Sequence, residues 1–101
     1  MKTINDSNYG GEIPSNGLVI IDFYAEWCGP CKVLTPTLEK LSEINKNVTF
    51  LKVNVDESPE YSSANNIRSV PTMVFIKDGV VVDRLSGNHS EVSIQNKINT
   101  L

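Results

Sequence analysis

The sequence predicts a single α/β domain in which a mixed central β-sheet carries helices on both faces and ends in an antiparallel hairpin followed by a helix. Three observations point there. The run "LVIIDFY" at 18–24 is apolar on both alternating faces except for Asp22, as in a strand covered on both sides. A helical period follows it and leads to a second alternating run, the order of a right-handed crossover between parallel strands. Asp78-Gly79 then separates two further apolar runs, a dipeptide that accepts the positive φ angles of a tight turn.

Each element has its own signal. From Cys28 to Asn45, Leu34, Leu38, Leu41 and Ile44 recur at helical spacing; Pro30 is tolerated in the first turn and "NKN" ends the run. Pro36 lies inside this helix, where it removes one backbone hydrogen bond and should bend the axis. In "VTFLKVNVD", 48–56, Thr49, Leu51, Val53 and Val55 share one face of a strand. Ser58 before Pro59 signals a helix start, and Tyr61, Ala64 and Ile67 mark a short amphipathic helix. "TMVFIKDGVVVDRLSG" supplies the two hairpin strands. Ser90 caps a last helix whose Ile94, Ile98 and Leu101 lie on the sheet. Before Leu18, "YGGEIPSNG" is a poor helix former, so the segment 1–17 is expected to hold a shortened strand and helix.

Size and charge narrow the functional classes. A chain of 101 residues with 40% apolar and 21% charged side chains suits one core, so 1–101 is read as one domain. The net charge of -3 comes from interspersed charges with no Lys/Arg run, which argues against nucleic acid as a partner. The longest apolar runs, "LVII" and "VVV", are far below membrane-spanning length, and the start of the chain shows no apolar leader core. The expected setting is cytoplasmic, away from membranes.

The chemistry centres on "AEWCGPCK" at 25–32, which holds the only two cysteines. A disulfide closing so short a loop would restrain the unfolded chain by only about 2 kcal/mol, a weak staple. A structural zinc site needs four ligands, and beyond the pair the chain offers one distant histidine, His89, so no metal is expected. His89 reads as a surface or helix-cap residue, with nothing to place it beside a thiol as a catalytic partner. A redox couple has positive physics behind it. Residues three apart in a first helical turn have Cα atoms about 5–6 Å apart, within disulfide reach. Cys28 at the helix terminus faces unpaired N–H groups that favour its thiolate, so it is the expected exposed attacking sulfur; Cys31, a turn deeper and shielded, is the expected resolving thiol.

"DFYAEWCGPCK" closely resembles the active-site segment of the thioredoxins, and "SVPT" at 69–72, "KDG" at 77–79 and "SGN" at 86–88 fall where similar elements lie in that family. The resemblance runs from Leu18 to the end and implies the thioredoxin fold. It implies a dithiol carrier that reduces protein disulfides through Cys28 and Cys31, works as a monomer and is recharged by a separate thioredoxin reductase fed by NADPH or ferredoxin. No cofactor is expected in the chain itself, since "YGG" lacks the spacing of a dinucleotide fingerprint.

Further residues carry over individually. Asp22 matches the family's buried acid, which would exchange a proton with Cys31; the plainer alternative is a strand aspartate bonded to backbone or paired with Lys52. Lys52 matches a lysine that pairs with that acid, and a solvated strand-edge lysine is the other reading. Pro71 matches the family's cis-proline, which would leave the Val70 backbone free to pair with an extended substrate. Trp27, Gly29, Pro30, Val70 and Gly87 would form the docking surface around Cys28, although each could instead be a core or turn residue. Tyr24 stands where tryptophan is common in the family.

Within the fold, an oxidase or isomerase is the nearest rival, and a non-catalytic binding module that retains the motif is the rival from another class. Gly29-Pro30 between the cysteines favours the reducing role.

Overall fold

The computed structural model describes residues 1–101. Its elements are β1 (Lys2–Thr3), α1 (Tyr9–Glu12), β2 (Leu18–Tyr24), α2 (Gly29–Ile44), β3 (Thr49–Asn54), α3 (Pro59–Ala64), β4 (Thr72–Lys77), β5 (Val80–Ser86) and α4 (Glu91–Asn99). They form a five-stranded sheet in the order β1-β3-β2-β4-β5. β1 and β2 run parallel to β3, while β4 is antiparallel to both β2 and β5. The sheet is thus mixed, as read from the sequence, and it has the thioredoxin fold. No helix is long and apolar enough to cross a membrane.

Strand parity sorts the core into two layers. Leu18 and Ile20 of β2, Phe50 of β3 and Met73 and Phe75 of β4 pack with Leu34, Leu38 and Leu41 of α2 and Ile94 and Ile98 of α4. Val19, Ile21 and Phe23 turn to the opposite face, where they meet Ile4, Leu51, Val53, Val74 and Tyr61 of α3. Since β2 is buried along nearly its whole length, both faces must be apolar, which is why its sequence fails to alternate. The buried leucines of α2 recur at spacings of four and three, one stripe of a helix that runs through Pro36 to Asn45. Full burial of each such leucine contributes about 1.5–3 kcal/mol.

Two polar devices tie distant elements together. Asn45 closes α2 and exchanges side-chain hydrogen bonds with Gln95 of α4: its Nδ2 donates to Gln95 Oε1 at 2.7 Å, and Gln95 Nε2 donates to Asn45 Oδ1 at 3.0 Å. At the hairpin, Asp78 and Gly79 take φ values of 49° and 84°. Asp78 also clamps the entry to β2, its carboxylate accepting from Gly17 N–H at 2.7 Å while its own N–H donates to Gly17 O at 3.0 Å. Within the hairpin the register slips between Phe75 and Ile76, so that Phe75 faces Asp83, Ile76 faces Val81 and Val82 is left over as a bulge.

The short helix α3 departs from its sequence reading. Ala64 is exposed, and Ile67 packs partly buried against the same core as Tyr61 but from beyond the helix end, so the buried side of the helix itself is Tyr61 with Ser62. Ser58 occupies the N-cap position, yet its hydroxyl makes no cap bond. Asp6, more than fifty residues earlier, does the capping instead, accepting from Glu60 N–H at 3.2 Å and from Tyr61 N–H at 2.9 Å. A carboxylate carries its charge to the positive helix end, which a hydroxyl does not. Asp6→Ala is therefore expected to lower stability by about 1–2 kcal/mol in urea unfolding. Ser58→Ala, which removes a buried hydroxyl without a partner, is expected to be neutral or stabilising. The reverse order of effects would show that Ser58 holds the helix.

Candidate active site

The junction between β2 and α2 builds the site. After Tyr24 the chain leaves the sheet, turns through Ala25–Trp27 with Cys28 N–H donating to Ala25 O at 3.2 Å, and enters α2 with Cys28 as N-cap residue. Cys28 adopts an extended backbone with φ -90° and ψ 109°, and its sulfur accepts from the Cys31 N–H at 3.2 Å. Gly29 and Pro30 fill the first helical positions, where proline's missing N–H costs nothing. The Cα atoms of Cys28 and Cys31 stand 5.3 Å apart and their sulfurs are joined in a disulfide.

Contrary to the expected contrast between an exposed and a shielded thiol, both cysteines are buried in this oxidised state, at 4% and 2% exposure. They form a small cluster with Ala25, packed by Tyr24, Val55 and Val70. The motif's aromatic residue, Trp27, is exposed, at 71%. Its ring is nonetheless anchored, with Nε1–H donating to Asp56 Oδ2 at 2.9 Å. Beside it lies a groove of about 170 Å³ lined by Trp27, Val55, Ile67, Arg68, Ser69 and Val70. That is room for a side chain or two, below the usual size of a small-molecule site.

The residues read from the family motif converge here. The Val70–Pro71 peptide is cis. Pro71 O accepts from Gly87 N–H at 2.8 Å, and Gly87 holds φ at 83°, which a side chain would strain. Gly29 and Pro30 are exposed at the helix start. His89 lies outside, its Nε2–H donating to Ser86 O at 3.0 Å.

Asp22 is fully buried on β2, and by strand parity its side chain projects to the α2 face shared with Ile20. Neither carboxylate oxygen has a hydrogen-bond partner in the protein, so the backbone-bonded alternative does not hold. Burial drives its pKa up to about 7, opposed by the charge of Lys52. Register sets Lys52 opposite Asp22, but the two form no salt bridge. The ammonium instead stands over the Tyr24 ring, 5.7 Å from its centroid. The pairing expected from the motif is thus a through-space influence and not a closed ion pair. A second cleft, about 280 Å³, is lined by Tyr24, Ala25, Glu26, Cys31, Lys32, Thr35, Pro36 and Lys52. Sequence reading missed Asp56 as the anchor of Trp27; its place two residues past a strand end gave no sign of a partner twenty-nine residues away.

Comparisons with known proteins agree with this geometry. The family model described as Thioredoxin matches residues 1–100. A thioredoxin of Chlamydia trachomatis is 46% identical over 87 residues, covering 86% of this chain and 84% of that protein. One of Chlamydia caviae is 42% identical over 99 residues, covering 98% and 96%. Among solved structures, Plasmodium falciparum thioredoxin superimposes with a TM-score of 0.90 at 38% identity, covering 99% of this chain and 98% of that one. With the matched family, the shared fold and a disulfide-bonded Cys-X-X-Cys pair at the head of a helix, this chain belongs to the thioredoxin family of protein-disulfide oxidoreductases.

Proposed function

We propose that the chain is a dithiol carrier that reduces disulfides in other proteins. The observation that supports this best is the placement of the pair, with Cys28 as the N-cap of α2 and Cys31 one turn inside. The Cys28 thiolate attacks one sulfur of the substrate disulfide, forming a mixed disulfide and releasing the other substrate sulfur as a thiolate that takes up a proton. Cys31 loses its proton and attacks Cys28 Sγ, so the mixed bond breaks and the second substrate thiol leaves. Two electrons and two protons have passed to the substrate, and the carrier holds the Cys28–Cys31 disulfide. A thioredoxin reductase, drawing on NADPH or ferredoxin, returns both, and a cytoplasmic setting suits a carrier that must be kept reduced.

The supporting residues take defined parts. Asp22 accepts the Cys31 proton through water, and an acid titrating near 7 can both take that proton and return it at neutral pH. Lys52 tempers that acid by its charge. The extended substrate backbone pairs at Val70, beside cis-Pro71, and its side chains meet Trp27, Gly29, Pro30 and Gly87. The chain acts as a monomer, offering this one face to reductase and substrate in turn.

Trapping tests the exchange. Cys31→Ser, reduced and mixed with a cell extract, is expected to accumulate adducts that run large without reductant and collapse to monomer with it, while Cys28→Ser traps few. Equal trapping by both, or none by either while folded, would favour a binding module over a carrier. Insulin reduction by the wild type, lost in Cys28→Ser, is the companion result.

Asp22 also makes stability depend on pH. Its folded pKa of about 7 lies above the unfolded 3.8, so the folded state holds the proton more tightly. The associated stability is complete below the unfolded value and is lost as pH rises through about 7, by roughly 4 kcal/mol for a shift of this size. Oxidised Asp22→Asn is accordingly expected to match the wild type near pH 4 and to exceed it by about 2–4 kcal/mol at pH 8 in urea unfolding. A constant difference between the two pH values would remove the buried acid from the account. The same variant should slow resolution by Cys31 and change the pH profile of reduction.

A further inference from the structure

Tyr24 and Asp22 are two residues apart on β2 and project to the same face, while Lys52 sits on β3 directly opposite Asp22. In that register a lysine can reach the acid, and a buried carboxylate with no partner is a strong attractor. Yet the Lys52 ammonium stands 5.7 Å from the centroid of the Tyr24 ring, within the range of about 6 Å at which a cation is drawn to an aromatic face. No salt bridge holds it there, since Lys52 belongs to none of the three, and Glu26 and Glu57 bear on the Tyr24 site only through space. Crowding does not hold it either, since the cleft that Lys52 shares with Tyr24 and Cys31 leaves about 280 Å³ free. The ring itself is fixed, packed against the buried cluster of Ala25, Cys28 and Cys31.

We propose that Tyr24 is a positioning residue for the exchange: its ring face holds the Lys52 ammonium in the cleft and off the Asp22 carboxylate, so that the lysine acts on the acid through space without closing an ion pair. The inference rests on reading Asp22 as the proton partner of Cys31. A closed ion pair would hold Asp22 well below neutrality and leave it a poor acceptor for a thiol proton. Lys52 faces Asp22 from β3 and Tyr24 from its own strand, and β4 sets uncharged Met73 opposite it; the cleft that holds Lys52 is also lined by Cys31 and Lys32 of α2 and by Glu26 of the turn before it. The Tyr24 hydroxyl is raised above its ordinary range by burial first, then by Glu26, Glu57 and Asp22, so it stays neutral. The ring, and not the hydroxyl, is what the lysine needs.

The test is the titration of Asp22, followed by its carboxyl carbon resonance in the oxidised protein across pH 4–10. Tyr24→Phe keeps the ring and should leave the midpoint in place. Tyr24→Leu keeps apolar bulk but frees the ammonium, and should lower the midpoint by about one unit or more. In a Lys52→Met background, where no ammonium is left to move, Tyr24→Leu should no longer lower it. Three results would overturn the proposal: an equal fall with Phe, no fall with Leu, or the same fall with Leu in both backgrounds, which would mean that the ring only keeps water from the acid. Because this readout involves no turnover, it stands apart from the reading of Asp22; that reading fails separately if Asp22→Asn reduces substrate with an unchanged rate and pH profile.

Discussion

The junction where β2 hands the chain to α2 is the constraint on which the rest depends. A strand buried on both faces cannot shift register without exposing Phe23 or Ile21, so the point at which Tyr24 leaves the sheet is settled by the core. The helix that begins four residues after Ala25 is held by Leu34, Leu38 and Leu41 against that same sheet. Between two elements so fixed, the Cys28–Cys31 turn has little freedom, and thiols 5.3 Å apart at Cα can join or part with small backbone change. Fixing the pair at a helix start brings the N–H groups of the first turn to Cys28, whose sulfur accepts from Cys31 N–H.

Much of this was legible because the relevant signals are local. The unbroken apolar run of β2, the leucine stripe of α2, Asp78-Gly79 at the hairpin and Ser90 as a cap each report a condition within a few residues of themselves, and Ser90 Oγ does accept from Ser93 N–H at 3.1 Å. What escaped reading is long-range. Asp6 capping α3, Asp56 anchoring Trp27 and Asn45 joined to Gln95 are polar contacts between segments far apart in sequence, and a lone Asp or Asn in a loop carries no mark of its partner. Ala64, and the extension of the helix to Ile67, misled for a different reason. Spacing of three in so short a window does not tell a buried stripe from coincidence, and here the last turn of α3 faces solvent.

The candidate site shows the same division. The cysteines, Trp27, Val70, Pro71 and Gly87 were identifiable from motif residues, and they gather at the carboxyl end of β2 as open α/β sheets favour. The state of the polar groups was not identifiable. Whether Lys52 closes on Asp22 depends on a ring two positions along, and whether Cys28 is exposed depends on how Tyr24, Val55 and Val70 close around it. Burial of an unpartnered acid costs stability, which fits the proposed use of Asp22 in proton transfer rather than in folding.

The central claim is that position in the first turn of α2 divides the labour between the two thiols. Its most direct measurement is the site-resolved rate of alkylation of the reduced protein as a function of pH, with the labelled cysteine identified by peptide mass. Cys28, the N-cap residue, is expected to take the label first and to remain reactive at lower pH than Cys31. Labelling of Cys31 first, or of both at one rate with one pH dependence, would contradict the assignment of the attacking sulfur to the helix terminus.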